Sequence, residues 1–105
     1  AVTLVVPRLD TAPTWLGDVR RRTIALRCPD HPVALDLLRI AGPLAVTSAN
    51  RSADRPVNSA EDARDVFADE VLTYLPGGAG GGEPSTLVDL TQPTEMILRS
   101  GPIRL

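Results

Sequence analysis

The first residues alternate little and are mostly β-branched. Val2, Thr3, Leu4, Val5 and Val6 form a β-rich run closed by Pro7, which predicts a strand. Leu9 to Gly17 is more polar, is punctuated by Pro13, and reads as a loop. After the basic run Arg20-Arg21-Arg22, Thr23 to Arg27 predicts a second strand. The period then changes. Val33, Leu37, Leu38 and Ala41 fall on one helical face behind Pro32. Asp30 or His31 can cap that helix, and Gly42 sits where a left-handed C-terminal cap is expected. Leu44-Ala45-Val46 predicts a short buried strand that runs into Thr47-Ser48-Ala49-Asn50, and a polar loop follows from Arg51 to Asn58. Ser59-Ala60-Glu61-Asp62 resembles a capping box ahead of Ala60, Ala63, Val66 and Phe67 at helical spacing. Val71 to Leu75 predicts a strand, Pro76 to Pro84 is a glycine-rich loop, and Thr86 to Leu90 and Glu95 to Arg99 predict the last two strands.

Strands outnumber helices in this reading, and the short helices are interspersed between them. The expected fold class is α/β (α+β), with a mixed twisted sheet. No internal repeat and no domain boundary is visible. At 105 residues the chain has room for one small domain or for a piece of a larger one. It enters a strand at its first residues without a polar lead-in, so a cut through an existing fold and an unpaired sheet edge are expected.

Composition narrows the function classes. The hydrophobic fraction of 43% suits a folded protein, while 3% aromatic residues leave the core to Val, Leu, Ile and Ala. The formal charge of -2 disfavours a broad phosphate-binding surface. Every basic residue is Arg, which removes any role for a Lys Schiff base or phosphate clamp within this segment. One cysteine, Cys28, and one histidine, His31, make neither an internal disulfide nor a zinc site. A reducing cytoplasm is expected, and no apolar run reaches the roughly 18 residues of a membrane helix.

Several features could carry chemistry. Ser48 follows the predicted buried strand, where hydroxyls and backbone N–H groups face a ligand crevice in α/β sheets; the bland alternative is a turn that satisfies its own backbone. Gly77-Gly78-Ala79-Gly80-Gly81-Gly82 lacks the Lys and the following helix of a phosphate loop, so a flexible loop fits better than a cradle. Ser85 could donate to a ligand carboxylate, and Arg27 and Arg99 could each grip a carboxylate or phosphate; each is equally readable as a surface or strand-edge residue. Cys28 is expected to be a small buried residue and His31 to be structural. No nucleophile–base pairing emerges, so any chemistry here depends on positioning and electrostatics.

Together these pieces resemble the YrdC-like family, the fold of the threonylcarbamoyl-AMP synthases, over almost the whole chain. Val2 to Val6 is similar to the strand after the family's Pro-Gly, and Thr23 to Pro32 is similar to its Thr-Val-Ala-Val-Arg segment with the following His-Pro. Gly42 to Asn50 carries the Gly-Pro…Ser-Ala-Asn signature. Pro84 to Asp89 resembles the Ser-Thr strand, and Met96 to Pro102 the closing Leu-Arg segment. The chain thus resembles the C-terminal portion of a YrdC-like domain, partial over residues 1–105 and incomplete at the N-terminus. The resemblance implies a nucleotidyltransferase reaction: L-threonine, bicarbonate and ATP with Mg give threonylcarbamoyl-AMP and pyrophosphate, for threonylcarbamoyladenosine in tRNA.

Carried over residue by residue, the resemblance implies that Thr23 and Ser48 contact ATP and that Arg99 reaches its phosphate or ribose side. Arg27 would hold the threonine carboxylate, with Ser85 and the backbone at Val46 also near threonine. No catalytic residue and no protein-bound metal is implied. The family's N-terminal ATP-gripping strand and Lys/Arg pair have no counterpart here, so the chain alone is expected to be inactive. Ala53 stands in place of the family's Gly, Pro76 in place of an Asp, and Ser100 in place of a Pro. Two alternatives remain open: a non-catalytic module binding double-stranded RNA or tRNA, and a YrdC-like unit of a carbamoyltransferase. A homodimer could complete the sheet.

Overall fold

A computed structural model describes residues 1–78 and 82–104. The chain divides into two compact units. One is built from Ala1–Pro29 together with Glu83–Leu105, and the other is the intervening Asp30–Gly82. Because the first unit is assembled from two separated segments, no linker composition marks its limits.

The two-segment unit is a four-stranded sheet of β1 (Val2–Pro7), β2 (Thr23–Arg27), β3 (Thr86–Asp89) and β4 (Met96–Arg99), in the order β2-β1-β3-β4. β1 pairs antiparallel with β2 and parallel with β3, and β3 pairs antiparallel with β4. The sheet is therefore mixed, as the pattern predicted, and all four strands fall where the β-rich runs placed them. The parallel pair is continued by Thr86 N–H donating to Ala1 O at 3.0 Å and Leu90 N–H to Val5 O at 2.9 Å.

The core of this unit lies on β3, one of the two central strands. Val88 is 1% exposed and Thr86 fully buried. The Thr86 hydroxyl donates to Ile103 O at 2.7 Å and accepts from Ile103 N–H at 3.1 Å, tying down the segment after β4. The loop after β1 is held from within by Arg8, a residue the sequence pattern did not single out. Its buried guanidinium donates to the carbonyls of Leu16 (2.8 Å), Leu9 (3.2 Å), Ala12 (2.6 Å) and Pro13 (2.7 Å). Leu9 O and Pro13 O also accept turn N–H groups from Ala12 (3.1 Å) and Leu16 (2.9 Å), and one fork of donors ties all four carbonyls together.

The second unit holds α1 (Pro32–Ala41) and α2 (Ala60–Phe67), the latter running into a 3₁₀ turn at Ala68–Glu70. His31 takes the N-cap position of α1 with Pro32 behind it, and Gly42 N–H closes the far end on Leu38 O at 2.9 Å. Ser59 caps α2 by accepting from Asp62 N–H at 3.0 Å, which is half of the predicted capping box. The apolar faces of the helices line an open hollow of about 460 Å³ with Val33, Leu37, Ala63, Phe67 and Val71 on its walls. No residue of either helix is fully buried.

Two predicted strands do not form. Leu44-Ala45-Val46 and Val71 to Leu75 are irregular, and Leu44 and Val46 are 45% and 84% exposed. An apolar run becomes a strand only when a neighbour offers a ladder of N–H and C=O groups. Among the described residues, neither run has such a neighbour. Cys28, expected to be buried, is exposed. No helix is long and apolar enough to cross a membrane among the described residues.

Candidate functional site

Side chains alternate across a strand, so the register of the sheet decides which of the candidate residues share a face. Thr3 lies directly opposite Arg27 on β2 and beside Leu87 on β3, while Leu87 is opposite Arg99 on β4. Thr3, Arg27 and Arg99 therefore share one face at one end of the sheet, and Ser85, two residues before Leu87, joins them. Contacts bear this out. The Ser85 and Thr3 hydroxyls are 2.6 Å apart. Arg99 donates to Ser85 O through Nε (3.1 Å) and Nη2 (2.9 Å), and Nη2 also reaches Ser85 Oγ at 3.2 Å.

The result is a small polar cluster with two guanidinium groups. Arg27 is exposed on the edge strand β2. Arg99 is anchored through Nε and Nη2, and its Nη1 donors have no protein partner among the described residues. Ser85 is 3% exposed, so it sits beneath Arg99 rather than at the surface. Each guanidinium presents donors that suit an anion with paired oxygens, a carboxylate or a phosphate.

Thr23 belongs to the same face but to the other end. It opens β2 opposite Pro7, four residues before Arg27, which separates the two by about 13 Å along the strand. It is held there by a bridge with Asp18, whose N–H donates to Thr23 O at 2.8 Å and whose carbonyl accepts from Thr23 N–H at 3.1 Å. Gly17 makes room for this bridge: a Cβ there would lie 2.5 Å from Thr23 O, and its φ is 78°.

Val46 and Ser48 lie in the other unit, on the irregular segment after α1. Both are exposed. Ser48 O accepts from Asn50 N–H at 3.1 Å and from the Thr47 hydroxyl at 3.3 Å. The Ser48 hydroxyl itself makes no hydrogen bond among the described residues. Asn50 Nδ2 donates to Arg51 O at 2.8 Å, while Asn50 Oδ1 is buried without a partner. In the glycine-rich stretch, Ala79, Gly80 and Gly81 lie outside the described residues. His31 Nε2 is 3.0 Å from Gly78 O, a structural contact at the start of that loop. No cluster of His, Cys, Asp or Glu among the described residues has a metal-binding arrangement.

A family model describing the Sua5/YciO/YrdC proteins, under the heading of telomere recombination, matches residues 1–101. The chain belongs to that family. Among its relatives, a Mycobacterium tuberculosis protein named as a candidate threonylcarbamoyl-AMP synthase is 45% identical over 104 residues, covering 98% of this chain and 48% of that one. The threonylcarbamoyl-AMP synthase of Halorhodospira halophila is 40% identical over 86 residues, covering 81% of this chain and 44% of that protein. Among solved structures, the fold is similar to P. abyssi Sua5 crystallised with L-threonine, with a TM-score of 0.80 and 32% identity over 95% of this chain and 30% of that one. E. coli YciO gives a TM-score of 0.71 at 25% identity, over 95% of this chain and 50% of that one. The chain thus spans about half the length of the curated relatives it matches.

Within this family fold, the structure brings Ser85 and Arg99 into contact, puts Arg27 on the same face at the same end two strands further on, and sets Thr23 at the far end of that face. Thr3 is the member of the cluster that sequence reasoning missed. It looked like one β-branched residue in a β-branched strand, and only the register with Arg27 and the contact with Ser85 distinguish it.

Proposed function

We propose that this chain supplies the L-threonine-holding part of a threonylcarbamoyl-AMP synthase. The observation that carries the reading is the gathering of Arg27, Ser85 and Arg99 at one end of a sheet, in a fold similar to that of a Sua5 crystallised with L-threonine. In this reading Arg27 takes the threonine carboxylate as a two-toothed ion pair, with Ser85 near the amino acid. The reaction needs no protein nucleophile. The threonine amine and bicarbonate give a carbamate with loss of water, a carbamate oxygen attacks the α-phosphorus of ATP, and pyrophosphate leaves. What the protein adds is alignment and charge stabilisation. In the same reading Arg99 meets the phosphate or ribose side of Mg–ATP through its Nη1 donors, and Thr23 adds an ATP contact. The parent reaction is a nucleotidyltransferase reaction serving tRNA modification, in a reducing cytoplasm.

This chain alone is proposed to bind L-threonine, to bind ATP weakly, and to make no adenylate. Calorimetric titration with L-threonine and ATP, singly and together, tests this alongside a pyrophosphate-release assay. Absence of any L-threonine heat would sink the reading, and pyrophosphate release at a synthase's rate would overturn the expectation of inactivity. Among the described residues, no arrangement favours the RNA-binding alternative. Arg21 pairs with Asp18, Arg22 with Asp10 and Arg51 with Glu70, which reduces the positive charge open to a phosphate backbone.

A further inference from the structure

The hydroxyl of Ser85 is in contact with two groups, and proton counting fixes what each does. A hydroxyl has one proton to give and two lone pairs to fill, whereas a guanidinium can only give. Ser85 Oγ therefore accepts from Arg99 Nη2 at 3.2 Å. Between Ser85 and Thr3, 2.6 Å apart, one proton occupies the hydrogen bond, so one of the two hydroxyl protons is left over. Ser85 is 3% exposed and has no other acceptor among the described residues, so its proton belongs in the bond to Thr3. Thr3 is half-buried and makes no further hydrogen bond among the described residues. The relay runs from Arg99 to Ser85 to Thr3, and the hydroxyl proton of Thr3 is the one that points outward.

Thr3 is also the direct cross-strand neighbour of Arg27. Side chains so paired have Cβ atoms about 5 Å apart, close enough for a hydroxyl and a guanidinium to share one carboxylate. We propose that Thr3 is a substrate-binding residue of this family member. Its hydroxyl donates to the carboxylate of the amino-acid substrate beside Arg27, and Ser85 acts through Thr3 by fixing the direction of that donor. The inference rests on the reading of this sheet end as an L-threonine site.

The test uses the full chain, L-threonine and 1-aminopropan-2-ol, which keeps the amine and hydroxyl of threonine and lacks the whole carboxyl group. Thr3→Val keeps the β-branched shape and deletes the donor; Thr3→Ser keeps the donor. A hydrogen bond to a charged group predicts that Thr3→Val weakens L-threonine binding about tenfold or more, while aminopropanol binding is unchanged. Thr3→Ser stays within about twofold of the wild type for both ligands. A structural role alone would weaken both ligands equally and so overturn the inference, as would unchanged L-threonine binding by Thr3→Val. In case Thr3→Val does not fold, the wild type gives a second measurement. Its Thr3 methyl resonance must shift on titration with L-threonine and stay in place with aminopropanol, and any other result overturns the inference. A wild-type chain that binds no L-threonine refutes the site reading itself.

Discussion

At the scale of single residues, two backbone positions, Gly101 and Ala53, set how much side chain the local backbone can carry. Gly101 follows β4 and lies against the start of β3. A Cβ there would sit 2.4 Å from Thr86 N, 2.5 Å from Pro84 O and 2.7 Å from Ser85 C. All three are backbone atoms that cannot swing aside, so Gly101→Ala is expected to cost about 2–3 kcal/mol in urea unfolding and to move Ser85 off Arg99. Ala53, a residue with a Cβ, has φ 70°. A left-handed alanine costs about 1–2 kcal/mol, against about 0.4–1 kcal/mol of unfolded-chain entropy that glycine would add back. Ala53→Gly is therefore expected to stabilise the chain by about 0.5–1 kcal/mol, read as a rise in urea midpoint at unchanged slope.

At the scale of elements, α2 shows how a short helix with no buried residue is kept in place. Its start is capped by Ser59, and its end is clamped by Arg51, which stacks over the Phe67 ring at 5.3 Å, donates to Val66 O at 3.3 Å and pairs with Glu70. The hydrogen bonds from Arg51, and then its charge, hold the Glu70 carboxyl below the usual glutamate range. The unfolded chain, with the ordinary value, takes up this proton first as pH falls. The stabilisation from the pair is therefore present at neutral pH and disappears as pH drops through the folded-state value. Both partners are exposed, so the effect is small and weakened by salt. We expect Glu70→Gln to flatten the fall in melting temperature on the acid side, and 1 M NaCl to mimic the substitution. A wild-type acid slope unaffected by either change would contradict this account of the clamp.

At the scale of the whole chain, the most consequential feature is how little of its apolar surface is covered. The edge strands β2 and β4 carry Leu26, Ile97 and Leu98 at 52%, 48% and 50% exposure. Edges of this kind template further pairing, and half-exposed apolar side chains add a driving force. We expect sedimentation velocity to show concentration-dependent self-association. Leu26→Lys should reduce it by placing a charge on the β2 edge. A monodisperse monomer across the micromolar range would show that the edges are blunted by other means.

The elements that were legible in the sequence are those whose stability is local. α2 could be read from Ser59, Asp62 and the spacing of Ala60, Ala63 and Phe67, because the cap and the helical face lie within a few residues of one another. The four strands of the sheet were also legible, from short runs of β-branched and other apolar residues. Leu44–Val46 and Val71–Leu75 carried the same signal and failed, since strand formation depends on a partner that composition cannot supply. The order and spacing of Arg27, Ser85 and Arg99 were visible along the chain, and so was the family they indicate. What only the tertiary structure decided is proximity: which end of which face each residue occupies. Thr23 and Arg27 look adjacent in sequence and stand at opposite ends of a strand, whereas Thr3 and Ser85 are 82 positions apart and share a hydrogen bond. The reason is physical. Side-chain periodicity is a property of the local backbone, but register is set by hydrogen bonds between strands, and those pair residues without regard to their distance along the chain.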